Sequence, residues 1–255
     1  AALKLRRMSL ELREHYALLR RQRDDLLRVQ LQKERLMAFV VHDLKNPVNT
    51  LDLHAQLLLR NRALPEDARD SAAKIRAEAR QLNRMILDLL DLSKADEGKL
   101  SVRRTEVELR PFVERILDEL DVAAQGRSVH LKSVVEVERM RADEDLVRRM
   151  LVNLAENAVR HAPTGGCVTV TVTASPEGTE FRVADTGRGV PASLRQTIFD
   201  PFVQAEGGAE MPSTRAGRGL GLAFCKLAAE AHGGRIWLED NAPGAVFCVR
   251  FPSVS

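Results

Sequence analysis

The sequence predicts two fold types in succession: an all-α first portion, then an α+β sandwich. Three observations support this. Helical periodicity runs almost unbroken through the first 97 residues, interrupted by one turn at Asn61-Arg62-Ala63-Leu64-Pro65-Glu66-Asp67. Past Gly98 the pattern changes to short strands alternating with helices. Two of those strands are separated only by Ser175-Pro176-Glu177-Gly178, so at least one pair is an antiparallel hairpin, which argues against a doubly wound parallel sheet.

Composition narrows the class. A chain of 255 residues suits two domains, and 44% hydrophobic but only 4% aromatic residues predict a core of Leu, Val, Ile and Ala. A net charge of +3 is too small to indicate nucleic acid or a membrane surface without a basic patch. No run approaches the ~18 apolar residues of a membrane span, and the N-terminus is too charged for a signal peptide. The three cysteines, Cys167, Cys225 and Cys248, lie among apolar neighbours without metal-ligand spacing, so buried reduced thiols in a cytoplasmic protein are expected.

Residues 1–35 read as a coiled-coil helix. Leu5, Leu12, Leu19 and Leu26 recur every seven residues, and Met8, Val29 and Leu36 fit the companion seam. His15, Gln22 and Lys33 interrupt it, which predicts a parallel coiled coil of moderate strength. This stretch holds ten Lys or Arg against five Asp or Glu up to Arg35; solvated coiled-coil flanks account for that better than an anionic lipid surface. A leucine seam on one isolated helix would stay exposed, so a homodimer is expected. Opening in mid-helix with Ala1-Ala2-Leu3, the sequence reads as a fragment with its upstream sensor domain left out.

Residues 36–97 read as a helical hairpin. Its first helix runs to about Arg60, with Val40, Leu44, Val48, Leu51, Ala55 and Leu58 as the apolar stripe. After the turn, Ala72, Ile75, Ala79, Leu82, Met85, Ile86, Leu89 and Leu90 line a second helix ending between Ser93 and Gly98. A single hairpin cannot hide both stripes, whereas two make a four-helix bundle. Within the first helix, His42 lies off the stripe, Asn46 shares its face one turn on, and Asp43 projects beside them. An imidazole beside a carboxylate suits a nucleophile that must shed one proton while its other nitrogen attacks. Pro47 withholds an N–H from the Asp43 carbonyl, so the helix is expected to bend or loosen there. A lone histidine on a solvated helix would ordinarily mean nothing. The string His42-Asp43-Leu44-Lys45-Asn46-Pro47 is more than that: it resembles the phosphoacceptor box of sensor histidine kinases.

Residues 98–102 form a linker and 103–255 the second domain. Strands are expected at Leu100 to Val107, Val129 to Val137, Cys167 to Ala174, Thr179 to Asp185, Gly234 to Glu239 and Ala245 to Phe251. Helices are expected at Leu109 to Gln125, Asp143 to His161 and about Leu220 to Ala231. Four short motifs lie along this half. Asn153-Leu154-Ala155-Glu156-Asn157-Ala158-Val159-Arg160-His161 places two asparagines four apart on one helix face, where an amide oxygen can serve as a hard ligand for Mg²⁺. Asp185-Thr186-Gly187-Arg188-Gly189 follows a strand; its glycines permit close approach of a ligand and its carboxylate can accept an exocyclic amine, although alone it could be an ordinary turn. Phe199-Asp200-Pro201-Phe202 is the third. Gly217-Arg218-Gly219-Leu220-Gly221-Leu222 enters a helix, where free N–H groups can hold phosphate.

In that order the four motifs resemble the ATP-binding fold shared by histidine kinases, DNA gyrase, Hsp90 and the MutL proteins, and the resemblance covers roughly residues 36–252. It implies an α/β sandwich in which Asn157 binds Mg²⁺, Asn153, Arg160 and His161 line the phosphates, Asp185 with Gly187 and Gly189 receives adenine, and Gly217 to Leu222 borders the triphosphate. The polar stretch Val203 to Ala216 resembles the nucleotide lid, with Arg215 and Arg218 as cations able to reach a γ-phosphate. In the gyrase, Hsp90 and MutL branches a glutamate activates water four residues before the metal-binding asparagine; here that position is Asn153, which cannot act as a base. The resemblance therefore implies a two-component sensor kinase: ATP-dependent phosphorylation of His42 aided by Asp43, transfer to an aspartate on a separate response-regulator receiver domain, and dephosphorylation of that regulator by Asn46. For Asn46 a plain helix-weakening polar residue is an equal alternative. Rival readings are a non-catalytic dimeric scaffold, which the joint presence of Asn157, Asp185 and the glycines disfavours, and an anti-sigma-type serine kinase, which the histidine-bearing hairpin disfavours. Departures from the usual letters are Asp43 for Glu, Asn46 for Thr, and Arg218 within the glycine loop.

Overall fold

The structure, a computed structural model, describes residues 15–16, 19–24, 29, 41, 43–61, 63–96, 100–203, 219–240 and 243–253. The chain divides into two compact units, Ala1–Ser93 and Lys94–Ser255. Most of the expected coiled-coil seam lies outside the described residues. Among the described residues no helix is long and apolar enough to cross a membrane.

In the first unit helix α1 covers residues 43–60 and α2 covers Glu66–Asp96. Pro65 precedes α2, and Glu66 and Asp67 occupy its first turn, where negative charge complements the helix dipole. Cross-links at matched heights show the two helices to be antiparallel: Asn83 Nδ2 donates to Asn49 Oδ1 at 2.6 Å, and Asp52 Oδ1 lies 3.4 Å from Nε of both Arg76 and Arg80. The apolar contact inside the hairpin has a seven-residue repeat on both sides, Val41, Val48 and Ala55 against Ala72, Ala79 and Ile86, all buried. Of the expected stripe on the first helix, Val48 and Ala55 are buried here and the leucines are not. Small Val and Ala side chains fill the close intrachain contact, whereas Leu44, Leu51 and Leu58 form a separate ridge that is 46–50% exposed. Ile75 is exposed as well. Helix α1 runs through Pro47 without a break.

The second unit has its helices on one face of a mixed sheet, in agreement with the sandwich the sequence predicts. Strand β1 (Thr105–Glu108) pairs antiparallel with β3 (Arg139–Ala142) as a separate two-stranded ribbon. The main sheet has the order β2-β4-β5-β7-β6, from β2 (His130–Val135), β4 (Cys167–Ser175), β5 (Gly178–Asp185), β7 (Ala245–Pro252) and β6 (Arg235–Asp240). The β2–β4 pair is parallel and the others antiparallel. Helices α3 (Leu109–Gln125), α4 (Glu144–His161) and α5 (Gly221–Ala231) cover one face. The first strand is shorter than the expected Leu100 to Val107, since the backbone at Arg103 donates to the Asp143 carboxylate at 2.9 Å instead of to a neighbouring strand. Strand β3 was not expected; four residues with two arginines carry too little alternating hydrophobicity to stand out.

The core follows from the patterns. Leu109, Phe112, Val113, Ile116, Leu117, Leu120 and Ala124 recur at three- and four-residue steps and face inward from α3. Strand β4 buries Val168, Val170 and Val172 while its threonines point outward; opposite them on β5 and β7 lie Phe181 and Val183, and Phe247, Val249 and Phe251. Phe181 and Phe251 meet edge to face at 5.7 Å. The outer face of the sheet is polar: Arg182 binds both Glu180 and Glu239, and Arg250 binds Glu180 and Glu177. Glu180, Glu239 and Cys248 come close enough to share a cation, but those arginines already occupy the carboxylates, and burial pushes the Cys248 thiol up to about 12, unsuited to metal binding. All three cysteines are free thiols; Cys225 and Cys248 are buried as expected, Cys167 only half-buried.

Candidate functional site

Helix α4 is the platform. Asp143 caps its first turn, accepting from the Leu146 N–H at 3.2 Å, and acidic Glu144 and Asp145 at its start with Arg160 and His161 at its end match the helix dipole. Asn153 and Asn157 are both half-buried on it. Helix α5 packs antiparallel against α4. The Arg149 guanidinium lies 4.1 Å above the Phe224 ring, Cys225 Sγ reaches the Met150 carbonyl at 3.5 Å, and a Cβ at Gly221 would touch the Asn153 side chain at 3.5 Å. The fold thus brings the asparagine helix and the end of the glycine-rich loop into contact.

Asp185 closes the same region from the sheet side. It ends β5 with 4% of its surface exposed; burial pushes its carboxyl pKa up, partly offset by N–H groups of Gly187 and Ala245. Gly187 N–H donates to Asp185 Oδ1 at 2.7 Å, and a Cβ on Gly187 would lie 2.4 Å from the His161 carbonyl. The Thr186 hydroxyl accepts from the Cys167 N–H at 2.9 Å and lies 2.8 Å from where a Gly166 Cβ would stand. The end of α4, the loop that follows it and the turn after β5 are therefore packed to backbone contact. Gly244 is held tightest: its φ is +117°, and a Cβ there would lie 1.8 Å from the Asp185 carbonyl. Gly244→Ala is expected to cost about 2–4 kcal/mol, read as a lowered denaturant midpoint.

The rim is cationic. Arg127, in the turn after α3, donates to the Arg160 carbonyl at 2.9 Å. Burial lowers the Arg160 pKa, with Arg127 adding to it, and burial followed by Arg160, Arg188 and Arg127 lowers that of His161. Such crowding is relieved by a polyanion. The phenylalanine motif is anchored by Phe199, which meets the Phe247 ring edge-on at 6.2 Å, while Phe202 is exposed at φ +65° and its N–H donates to the Gly219 carbonyl at 2.8 Å. Gly219 also has positive φ, +74°, Leu220 is buried and Leu222 half-buried. Gly189 has φ +71° and approaches the Gly244 carbonyl.

His42, Arg215, Gly217 and Arg218 lie outside the described residues. Asp43 and Asn46 are exposed on α1, and the Asn46 carbonyl accepts from the Thr50 hydroxyl at 3.0 Å. The structure adds Arg127, Gly166, Thr186, Arg188 and Gly244 to the neighbourhood of the site. Thr186 and Arg188 stand inside a motif already recognised, and Pro243-Gly244 is a turn signal; Arg127 has no local signal, because its partner lies 33 residues away.

Comparison with known proteins assigns a domain family to each half of the chain. Residues 32–98 match the family described as His Kinase A (phospho-acceptor) domain, and residues 142–255 match Histidine kinase-, DNA gyrase B-, and HSP90-like ATPase. The chain thus holds these two domains in succession, the pair that matches the catalytic core of sensor histidine kinases. It is similar to the Adaptive-response sensory kinase SasA of Synechococcus sp. (strain JA-2-3B'a(2-13)), with 30% identity over 242 residues, 91% of this chain and 62% of that protein. Among solved structures, full-length ShkA in complex with AMPPNP matches at TM-score 0.68 and 26% identity, covering 87% of this chain and 46% of that one. The histidine kinase ThkA in complex with response regulator protein TrrA shares the fold at TM-score 0.54 and 21% identity, covering 86% and 61%. The chain spans less than two thirds of each.

Proposed function

We propose that this chain is the kinase core of a two-component sensor: it binds Mg-ATP in the second unit, transfers the γ-phosphoryl group to His42, and passes it to an aspartate on a response-regulator receiver. One observation carries the reading. Asn153 and Asn157 on α4, the glycine entry to α5 and the buried Asp185 converge beneath a rim of cations, a donor set suited to adenine at one end and phosphates at the other.

The residues divide the work by their chemistry. Asp185, an acceptor held rigidly by Gly187, takes the amine of adenine, and Gly187 and Gly189 let the turn after β5 pack closely enough on the His161 and Gly244 carbonyls to hold that acceptor in place. Arg160 and His161, with Arg215 and Arg218 from the lid, gather the phosphates. Asn157 offers a hard amide oxygen to magnesium, which when bound screens negative charge on the phosphates. Asn153 supplies no base, so water is not activated. One ring nitrogen of His42 attacks the γ-phosphorus in line as the bond to the departing ADP oxygen breaks, and Asp43 takes or holds the proton of the other nitrogen. Asn46, one turn on, orients water against the regulator's aspartyl phosphate. The ridge of Leu44, Leu51 and Leu58 is covered by a second copy of the chain, giving a four-helix bundle. The comparison proteins support this assignment: one is a complex of a histidine kinase with a response regulator, another holds AMPPNP.

The deciding experiment is calorimetric titration of the chain with AMPPNP at saturating magnesium. Binding in the micromolar range is expected, weakened at least tenfold in Asn157→Ala; no heat of binding in the folded wild type would overturn the reading.

A further inference from the structure

His232, which closes α5, is 3% exposed, and both of its ring nitrogens are committed. The Asp143 amide donates to Nε2 at 3.0 Å, so Nε2 carries no hydrogen. The proton therefore resides on Nδ1, which donates to the Ala228 carbonyl at 2.7 Å. The ring is neutral and its tautomer fixed. Two charged groups face it: Asp143, the N-cap of α4, and Arg104, which precedes β1 and whose Nη2 donates to the His232 carbonyl at 3.2 Å. From β7 the Phe251 ring packs edge-on at 5.1 Å.

Asp143 is a crossing point in its own right. One carboxylate oxygen caps α4 through Leu146, and the other accepts from the Arg103 N–H. Three segments thus meet at one place: the end of α5, the start of α4 and the chain arriving at residues 103–104. Because α4 and α5 are antiparallel, this junction and the Gly221–Asn153 contact are the two ends of one interface. A slip of α5 by one residue, ~1.5 Å, would carry Gly221 off the Asn153 side chain.

We infer that His232 is a positioning residue for the nucleotide site that works only as a neutral imidazole, pinning the end of α5 and the incoming chain at Arg103–Arg104 to the start of α4. The inference rests on the nucleotide-site reading above. Protonation places an N–H on Nε2 opposite the Asp143 N–H; two donors then face each other and the contact is lost. Burial, with Arg104 adding to it, favours the neutral ring over the charged one. A pKa held below the ordinary value means that the unfolded chain binds the proton more readily. The stability the pin contributes is therefore complete above the ordinary histidine range and is lost as pH falls from that range toward the lowered folded value, where the ring charges in the folded chain and the pin opens.

The test compares the full chain with His232→Gln, whose amide offers a non-titrating acceptor and donor, and His232→Phe, which fills the space without either. ADP affinity and thermal midpoint are measured from about pH 7.5 to about pH 5, together with the ring ¹⁵N spectrum of His232 and exchange of the Asp143 amide in wild type. Expected are the Nδ1–H tautomer and a protected amide at the upper pH, and about tenfold weaker ADP binding in the Phe variant. On acidification wild type should lose about tenfold more affinity than Gln, which isolates His232 from His161, present in both. Parallel pH profiles for wild type and Gln, unchanged affinity in folded Phe, or the Nε2–H tautomer would overturn the inference. Should the Phe chain fail to fold, the Gln profile and the wild-type ring spectrum decide. If no folded chain binds ADP, the nucleotide-site reading and the positioning role fall together, while the ring spectrum and amide exchange still report whether the structural pin exists.

Discussion

Incubated with γ-labelled ATP and magnesium, a His42→Gln chain is expected to gain no label, whereas wild type gains an acid-labile one. The effect is all or none because the substitution removes the only group assigned to form the new bond: glutamine keeps approximate size and polarity but has no nucleophilic nitrogen at neutral pH. The control is ADP affinity, which His42→Gln leaves unchanged because the nucleotide groups all belong to the second unit. Residual labelling of the variant at the wild-type rate would move the acceptor elsewhere. Mixing His42→Gln with Asn157→Ala chains extends the experiment: label in the mixture shows transfer between chains, and none, provided that mixed dimers form, shows transfer within one.

The second large effect is at Asp185. Replacing its carboxylate with an amide is expected to weaken nucleotide binding about a hundredfold, about 2.7 kcal/mol, since the amide's N–H₂ faces donors that the carboxylate accepted. Stability moves differently. Burial holds this carboxyl above its ordinary range, so the native state binds the proton more tightly than the unfolded chain. The nucleotide-free protein therefore gains stability from this group as pH falls through the raised value, and loses it as pH rises. At neutral pH Asp185→Asn is expected to leave the thermal midpoint unchanged or higher while binding collapses. A lowered midpoint with affinity intact would assign Asp185 a structural role only.

Much of the fold is legible in the sequence. Helix Leu109–Gln125 matches its expected limits at both ends, because seven buried positions at helical spacing leave no other period. The motifs that converge at α4 were readable because each is local: two asparagines one turn apart, a carboxylate before glycines, a glycine loop at a helix entrance. What stayed hidden is non-local. The Arg139-Met140-Arg141-Ala142 strand exists only because β1 lies beside it. The junction at His232 joins residues 89 apart, and nothing in Ala231-His232-Gly233 announces an amide from Asp143. In the hairpin the expected stripe proves to hold two rows: its Val48 and Ala55 are buried inside the hairpin, its Leu44, Leu51 and Leu58 are not. Hydrophobicity alone does not part these rows; close approach of two helices does, by favouring the smaller Val41, Val48 and Ala55.

That division of labour along α1 ties folding to concentration. With one row of side chains satisfied inside the hairpin and the leucine row left to another molecule, the helical half has no fixed stability of its own. Diluted far enough, it is expected to loosen first, seen as a thermal midpoint of the helical half that falls with protein concentration.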